Sequence, residues 1–192
     1  IDDWYELYGK LVYRELELAA TDTNMDELLE MQKVEANSEF NKFVRRNYES
    51  WITSDDDAPL MSHKVFSRRV FPLLDAGEKV FFILIDNFRL DQWRTIKPLL
   101  ADFFTFDEKL YTSILPTATQ YARNAIFAGL MPLAIDRLMP DKWLNDNEEG
   151  GKNQYEEEFL RRQLQSNGKN YRWTFDKLVR PEAGRKLVDN IQ

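Results

Sequence analysis

Two threonines and an aspartate are the residues of this sequence whose types and spacing could support chemistry. Asp86 ends the apolar run VFFILI (80–85), and Thr117 and Thr119 lie in SILPTATQYARNAIFAGLMP, where a helix is predicted to begin. The N–H groups and dipole of a helix N-terminus favour a phosphate or sulfate. A threonine hydroxyl there is a candidate nucleophile if a metal ion lowers its pKa. Asp86 would be a ligand of that metal, because a carboxylate that ends a buried strand needs a partner.

Each of these residues also has a purely structural interpretation. Thr119 could act only as the N-cap of the helix, and Asp86 could be an ordinary strand-end or turn residue. Gly129 is predicted as the C-cap of the same helix. His63 is the one histidine of the chain, and a solvent-facing or capping role on a helix is the interpretation we give it, in preference to metal ligation.

The apolar pattern predicts the elements that would position these residues. Helical spacing runs from Asp2 to about Ser54, with no Pro or Gly between Lys10 and Asp57, which predicts two long amphipathic helices packed as a hairpin. The run 80–85 is typical of a strand buried on both faces, and a second strand is predicted within 103–115. Alternating strands and helices predict an α/β architecture, with ligands bound at the carboxyl ends of the strands.

Charge and composition exclude several classes of protein. The 192-residue chain has a net charge of −7 and no cysteine. It therefore repels nucleic acid overall and has no disulfide, thiolate zinc site or cysteine nucleophile. The lack of cysteine fits a reducing compartment, so a cytoplasmic location is expected, and no apolar run approaches the length that spans a membrane. The stretch YEEEFLRRQL is predicted to be a helix whose charges form a solvated face.

The motif LIDNFRLDQW, followed further along by ILPTATQYARNAIFAGLMP, resembles the alkaline phosphatase superfamily. Members of that superfamily carry a metal-binding Asp after the first strand and a Thr or Ser nucleophile at the start of a helix. Within it, the sequence is most similar to the PglZ domain. Together with the preceding helices it resembles the PorX-type response regulators of type IX secretion, in which a receiver domain precedes a helical bundle and a PglZ effector.

Carried over residue by residue, the resemblance implies a zinc site and a nucleophile. Asp86 would be a zinc ligand, and Thr119 would be both the nucleophile and a zinc-bridging oxygen. Thr117, Arg123 and Asn124 would be substrate-binding residues.

The resemblance also implies a fold and its boundaries. An N-terminal helical bundle (1–58) would precede the first part of an alkaline-phosphatase-like three-layer α/β/α domain (59–192). The complete domain holds two zinc ions, yet the further Asp and His ligands of the family have no counterpart in this sequence. We therefore expect a piece of a longer protein, one that by itself binds zinc incompletely and shows no hydrolysis.

The activity implied is that of a zinc-dependent phosphodiesterase or phosphatase. It would be the effector of a two-component response regulator that controls secretion. Its substrate would be a phosphoester, with cyclic or linear oligonucleotides as family-level examples. The implied partners are a second copy of the chain on activation, a sensor kinase, and a sigma factor or secretion component, without membrane insertion. The alternative is a catalytically silent, phosphatase-like docking module that acts through dimerisation and protein partners.

Overall fold

The computed structural model describes residues 1–19, 26–54, 58–145 and 147–178. The regular elements of these residues are helices. A 3₁₀ turn (Ser62–Lys64) and a π turn (Phe66–Val70) precede α3, and a second 3₁₀ turn (Pro140–Lys142) follows α6. The α-helices are α1 (Asp2–Ala19), α2 (Asp26–Thr53), α3 (Phe71–Asp75), α4 (Leu90–Leu100), α5 (Thr119–Ala128), α6 (Pro132–Leu138) and α7 (Glu156–Ser166). None of the helices in these ranges has the length and apolar character needed to cross a membrane.

Helices α1 and α2 form an antiparallel hairpin. The ring of Trp4 lies 5.3 Å from that of Phe40 and 5.8 Å from that of Phe43. Towards the other end of the hairpin, Lys33 forms an ion pair of 2.5 Å with Glu15. Apolar residues three apart on a helix lie on one face, and here that face meets the partner helix. The predicted hairpin is confirmed for the residues described, and the connection at 20–25 lies outside them.

The C-terminal half of α2 packs against α5 and the segment that leads into it. The hydroxyl of Tyr48 accepts a hydrogen bond of 2.7 Å from the backbone N–H of Leu115. Tyr5 of α1 shares a hydrogen bond of 2.6 Å with the hydroxyl of Thr112. The apolar residues buried in this junction are Trp51, Met61, Ile114 and Ala125. The start of α5 is therefore supported from the side of the helical hairpin.

The larger core lies between α5, α6 and α7. Helix α7 buries Phe159, Leu160 and Leu164, three residues on one stripe, against this core. Helix α5 contributes Ile126, Phe127 and Ala128 to the same core. Because α5 and α7 share one apolar core, their N-terminal turns hold fixed positions relative to each other.

The central strand predicted at 80–85 is absent from the described structure, where this segment has no regular secondary structure and belongs to no sheet. Its side chains differ in burial. Val80 and Leu84 pack against the larger core, while Phe81, Ile83 and Ile85 are exposed. A strand buried on both faces needs hydrogen-bonded neighbours and a second covering layer. No such neighbour is supplied by the residues described, so only one face of the segment is buried.

The second predicted strand, within 103–115, is also wrong. Its extended part forms a single isolated parallel bridge, between Met61 and Thr112, which is too little to build a ladder. The α/β fold class, with its three-layer α/β/α domain, is therefore corrected: across 1–19, 26–54, 58–145 and 147–178 the protein is all-α. The apolar runs do not by themselves specify a sheet, because strand pairing depends on residues distant in sequence.

Gly129 ends α5, as the sequence predicts. Its φ of 65° is left-handed, and its N–H bonds to the carbonyl of Ala125 at 3.0 Å. A Cβ at this position would lie 2.8 Å from the Cδ of Gln163, a residue of α7 that is 3% exposed. Two requirements, a left-handed backbone and a close approach of α7, thus favour glycine here.

We expect Gly129→Ala to lower the free energy of unfolding by about 2–4 kcal/mol, the sum of left-handed strain and overpacking. Gly168 provides the matched control, because it has the same φ of 65° and a Cβ there would meet nothing within 4 Å. Gly168→Ala should cost only the backbone strain, about 1–2 kcal/mol. Urea unfolding of both variants measures the difference. Equal losses of unfolding free energy in the two variants would show that Gln163 of α7 does not restrict the space beside Gly129.

Candidate functional site

Asp86 lies in a turn that directly follows the segment 80–85. The next residue, Asn87, has a φ of 54°, a left-handed conformation that asparagine adopts more readily than most residues. The turn leaves the side chain of Asp86 46% exposed. Although the strand before it is absent, Asp86 faces the start of α5.

Thr119 is the first residue of α5, and no side chain caps this helix. The N-cap position is Ala118, which has no polar side-chain atom. The hydroxyl of Thr119 is exposed and donates to Oδ1 of Asp86 across 3.4 Å, longer than the usual hydroxyl–carboxylate bond. Thr117 is also exposed. The interpretation of either threonine as a side-chain N-cap therefore has no support in the structure.

Arg123 follows Thr119 by one helical turn, on the same face of α5. Its Nη1 donates to Oδ2 of Asp86 at 3.0 Å, and its Nη2 donates to Glu156 at 2.8 Å. The two oxygens of Asp86 thus contact two residues of one helix face. The structure brings together three of the residues that the sequence singles out: Asp86, Thr119 and Arg123.

Glu156 is a member of this cluster that sequence reasoning missed. Its side chain is 1% exposed, and its carboxylate also binds Nζ of Lys177 at 3.0 Å. Lys177 in turn donates to the carbonyl of Asn153 at 2.6 Å. A buried carboxylate is tolerated when cations compensate it, and Arg123 and Lys177 supply two cations here, both in contact with Oε2, while Oε1 accepts no hydrogen bond among the described residues.

The helical spacing of YEEEFLRRQL contained the missing signal. Glu156 precedes Phe159, Leu160 and Gln163 by three, four and seven residues, so it shares their buried face. The predicted solvated face holds for Glu157, which pairs with Arg161 at 2.8 Å on the surface. The prediction of a solvated face treated every charged residue of the stretch as exposed, so it was wrong for Glu156, which is buried.

Asn124 is 2% exposed and its amide is engaged on both sides. Its Nδ2 donates to the carbonyl of Lys152 at 3.0 Å, and its Oδ1 accepts from Nδ2 of Asn153 at 3.1 Å. These bonds attach the loop before α7 to α5. Asn124 and Thr117 are both predicted to bind substrate, and for both residues this stays a prediction.

The oxygens of Asp86 and Thr119 fit a zinc ion as two of its ligands. They lie close together at an exposed position, and carboxylate and hydroxyl oxygens are suitable donors. A zinc site needs about four ligands, and the described residues contain no group of three or more His, Asp or Glu side chains placed to hold a metal. The two oxygens could supply part of the ligand set of a zinc ion, and the described residues do not complete that set.

Comparison with known families bears on both parts of the chain. Residues 1–52 match the model of the PorX response regulator linker domain. Residues 65–192 match the model of the BREX system PglZ alkaline phosphatase-like domain. No individual curated protein matches the chain. The resemblance seen in the motifs around Asp86 and Thr119 is thus confirmed, and since the second match covers most of the chain, the chain belongs to the PglZ family of alkaline phosphatase-like domains.

Proposed function

We propose that the protein is a zinc-dependent phosphodiesterase or phosphatase in which Thr119 is the nucleophile. One observation carries the proposal. A hydroxyl, a carboxylate and a guanidinium, those of Thr119, Asp86 and Arg123, meet at the exposed start of one helix. Hydrolysis of a phosphoester needs a nucleophile, charge stabilisation and access for a ligand, and this position combines the three.

Thr119 would act on phosphorus through its Oγ1. A bond forms between that oxygen and phosphorus, the bond to the leaving oxygen breaks, the hydroxyl proton passes to solvent, and the leaving oxygen takes a proton from solvent to become the alcohol. Water then cleaves the new ester and restores the threonine. A free hydroxyl is almost entirely protonated at neutral pH, and a zinc ion held in part by Asp86 and Thr119 would lower the pKa of that hydroxyl.

Negative charge that develops on the phosphoryl oxygens would be stabilised by α5. The N-terminal N–H groups and the positive dipole end of this ten-residue helix lie beside Thr119. Arg123 places a second positive charge one turn further along. Its Nη1 donates to Oδ2 of Asp86, the carboxylate that also accepts from Thr119, so this end of the guanidinium would be the one to meet a phosphoryl oxygen bound at Thr119.

The match to a response regulator linker favours a regulated effector. In this proposal the helices α1 and α2 transmit the state of an upstream domain to the PglZ domain. Tyr13, Met31 and Val34 of these helices are exposed apolar residues suited to pairing with a second copy. Control of secretion, with a sensor kinase and a sigma factor or secretion component as partners, remains the expectation drawn from the resemblance.

Zinc removal tests the proposed activity. We expect the complete protein to cleave a nitrophenyl phosphodiester, to lose that activity after chelation, and to regain it with added zinc, because the nucleophile is protonated without the metal. Release of nitrophenol is followed by absorbance, beside zinc content by atomic spectroscopy. Hydrolysis that persists after chelation contradicts the proposal. A protein with neither zinc nor hydrolysis would instead favour the docking module.

A further inference from the structure

A buried carboxylate lies behind the arginine of the proposed site. Glu156 is 1% exposed, and charged residues are rarely buried to this extent. Nη2 of Arg123 lies against both of its oxygens, at 2.7 Å from Oε1 and 2.8 Å from Oε2. The Nε–H of Arg123 is buried and has no acceptor among the described residues. The two terminal nitrogens therefore make the polar contacts of this guanidinium.

The position of Glu156 is set by packing that does not involve the site. It occupies the first turn of α7, whose next turn inserts Phe159 and Leu160 into the core shared with α5. Lys177 binds the same carboxylate and the carbonyl of Asn153. Because a guanidinium is planar and its Nη1 is also bonded to Asp86, holding Nη2 at Glu156 restricts the directions that Nη1 can take. The direction that it takes leads to Asp86, beside the hydroxyl of Thr119.

We infer that Glu156 is a positioning residue, which acts through Arg123 to aim Nη1 at a phosphoryl oxygen bound next to Thr119. The inference rests on the proposed function for the identity of the ligand, a phosphoester. Glu156 itself does not contact that ligand. Lys177 also binds the carboxylate of Glu156, so the negative charge of Glu156 is shared between two cations, Arg123 and Lys177.

Whether Glu156→Gln strengthens or weakens phosphate binding distinguishes a positioning role of Glu156 from an effect of its charge alone. Glu156→Gln removes a negative charge near the anion site, and by Coulomb's law alone this should strengthen phosphate binding. If Glu156 positions Arg123, the same change should weaken phosphate binding on the order of tenfold, as expected when a charge-assisted hydrogen bond is no longer held in place.

The test uses the complete protein with zinc and inorganic phosphate as the probe, measured by calorimetry. Glu157→Gln is the matched control, because it removes a carboxylate from the same turn whose partner is Arg161, and it should stay within about twofold of the parent. In an Arg123→Gln background, Glu156→Gln should have no further effect beyond about twofold, because its partner is gone.

Circular dichroism checks that each variant folds. If Glu156→Gln does not fold, Glu156→Asp keeps the charge and withdraws the carboxylate from Arg123. It should weaken phosphate binding similarly, whereas a role of Glu156 in charge balance alone predicts the parent affinity.

Hydrolysis of the nitrophenyl diester is measured on the same samples. Unchanged or tighter phosphate binding in folded Glu156 variants overturns the inference, as does a parent that binds no phosphate. A parent without hydrolysis whose phosphate binding still depends on Glu156 contradicts the proposed function and leaves the inference standing.

Discussion

Replacing Thr119 with alanine is expected to lower the turnover of the zinc-loaded protein by at least about 10³-fold, the scale on which hydrolases lose activity with their covalent nucleophile. The reason is that no oxygen would remain at the start of α5 to attack phosphorus. The hydroxyl of Thr119 is exposed and lies 3.4 Å from Asp86. Initial rates of nitrophenol release measure the effect.

The fold should not change in this variant. Ala118, rather than Thr119, occupies the N-cap position of α5, and alanine is the better helix former. We therefore expect the free energy of unfolding to stay within about 0.5 kcal/mol of the parent. Urea unfolding makes this comparison on the same preparation, so that a loss of turnover is not confused with a loss of structure.

Thr117 supplies the comparison within the same motif. It is two residues upstream and exposed, so Thr117→Ala should have a much smaller effect on turnover. Full activity in Thr119→Ala would show that this threonine is not the nucleophile. Equal losses in both variants would mean that the loop as a whole, and no single hydroxyl, supports hydrolysis.

The helical hairpin could be predicted because its information is local. Trp4, Phe40 and Phe43 recur at helical spacing within their own segments, and such a face is buried by the next amphipathic helix. The C-cap at Gly129 could be predicted for the same reason, since a glycine at the end of a helical pattern indicates a left-handed residue.

The absence of a sheet from the described residues could not be predicted, because strand pairing is not a local property of the sequence. A run such as 80–85 is typical of a buried strand, and its unbroken apolar character does not show which side chains face the core. In the structure Val80 and Leu84 face the core, while Phe81 and Ile83 are exposed.

The candidate site was only partly accessible from the sequence. Asp86 and Thr119 stood out because each follows a recognisable pattern, and the structure places them together. Glu156 and Lys177 did not stand out, because their importance lies in contacts between residues far apart in sequence. Glu156 pairs with Arg123, and Lys177 pairs with Glu156. Glu156 alone had a local signal, its phase with the buried face of α7.

A second large effect is expected at Asp86. Asp86→Asn keeps the shape of the side chain but removes the charge that a metal ligand supplies. Even the loss of an outer-shell partner lowers metal affinity by up to about 100-fold, so the loss of this ligand should cost at least that much in zinc affinity. Hydrolysis should fall with it. Zinc retained after dialysis against a zinc buffer gives the measurement.

Asp91 provides a matched control for Asp86, because its carboxylate also pairs with an arginine, Nη2 of Arg89, at 2.8 Å. The hydrogen bond from Arg89 holds the pKa of Asp91 below its usual value, which favours the charged form of this control carboxylate. Asp91→Asn should retain zinc and activity. Both variants should keep their free energy of unfolding within about 1 kcal/mol, since exposed ion pairs contribute little. If Asp86→Asn retains zinc as well as Asp91→Asn does, Asp86 is a partner of Arg123 and not a metal ligand.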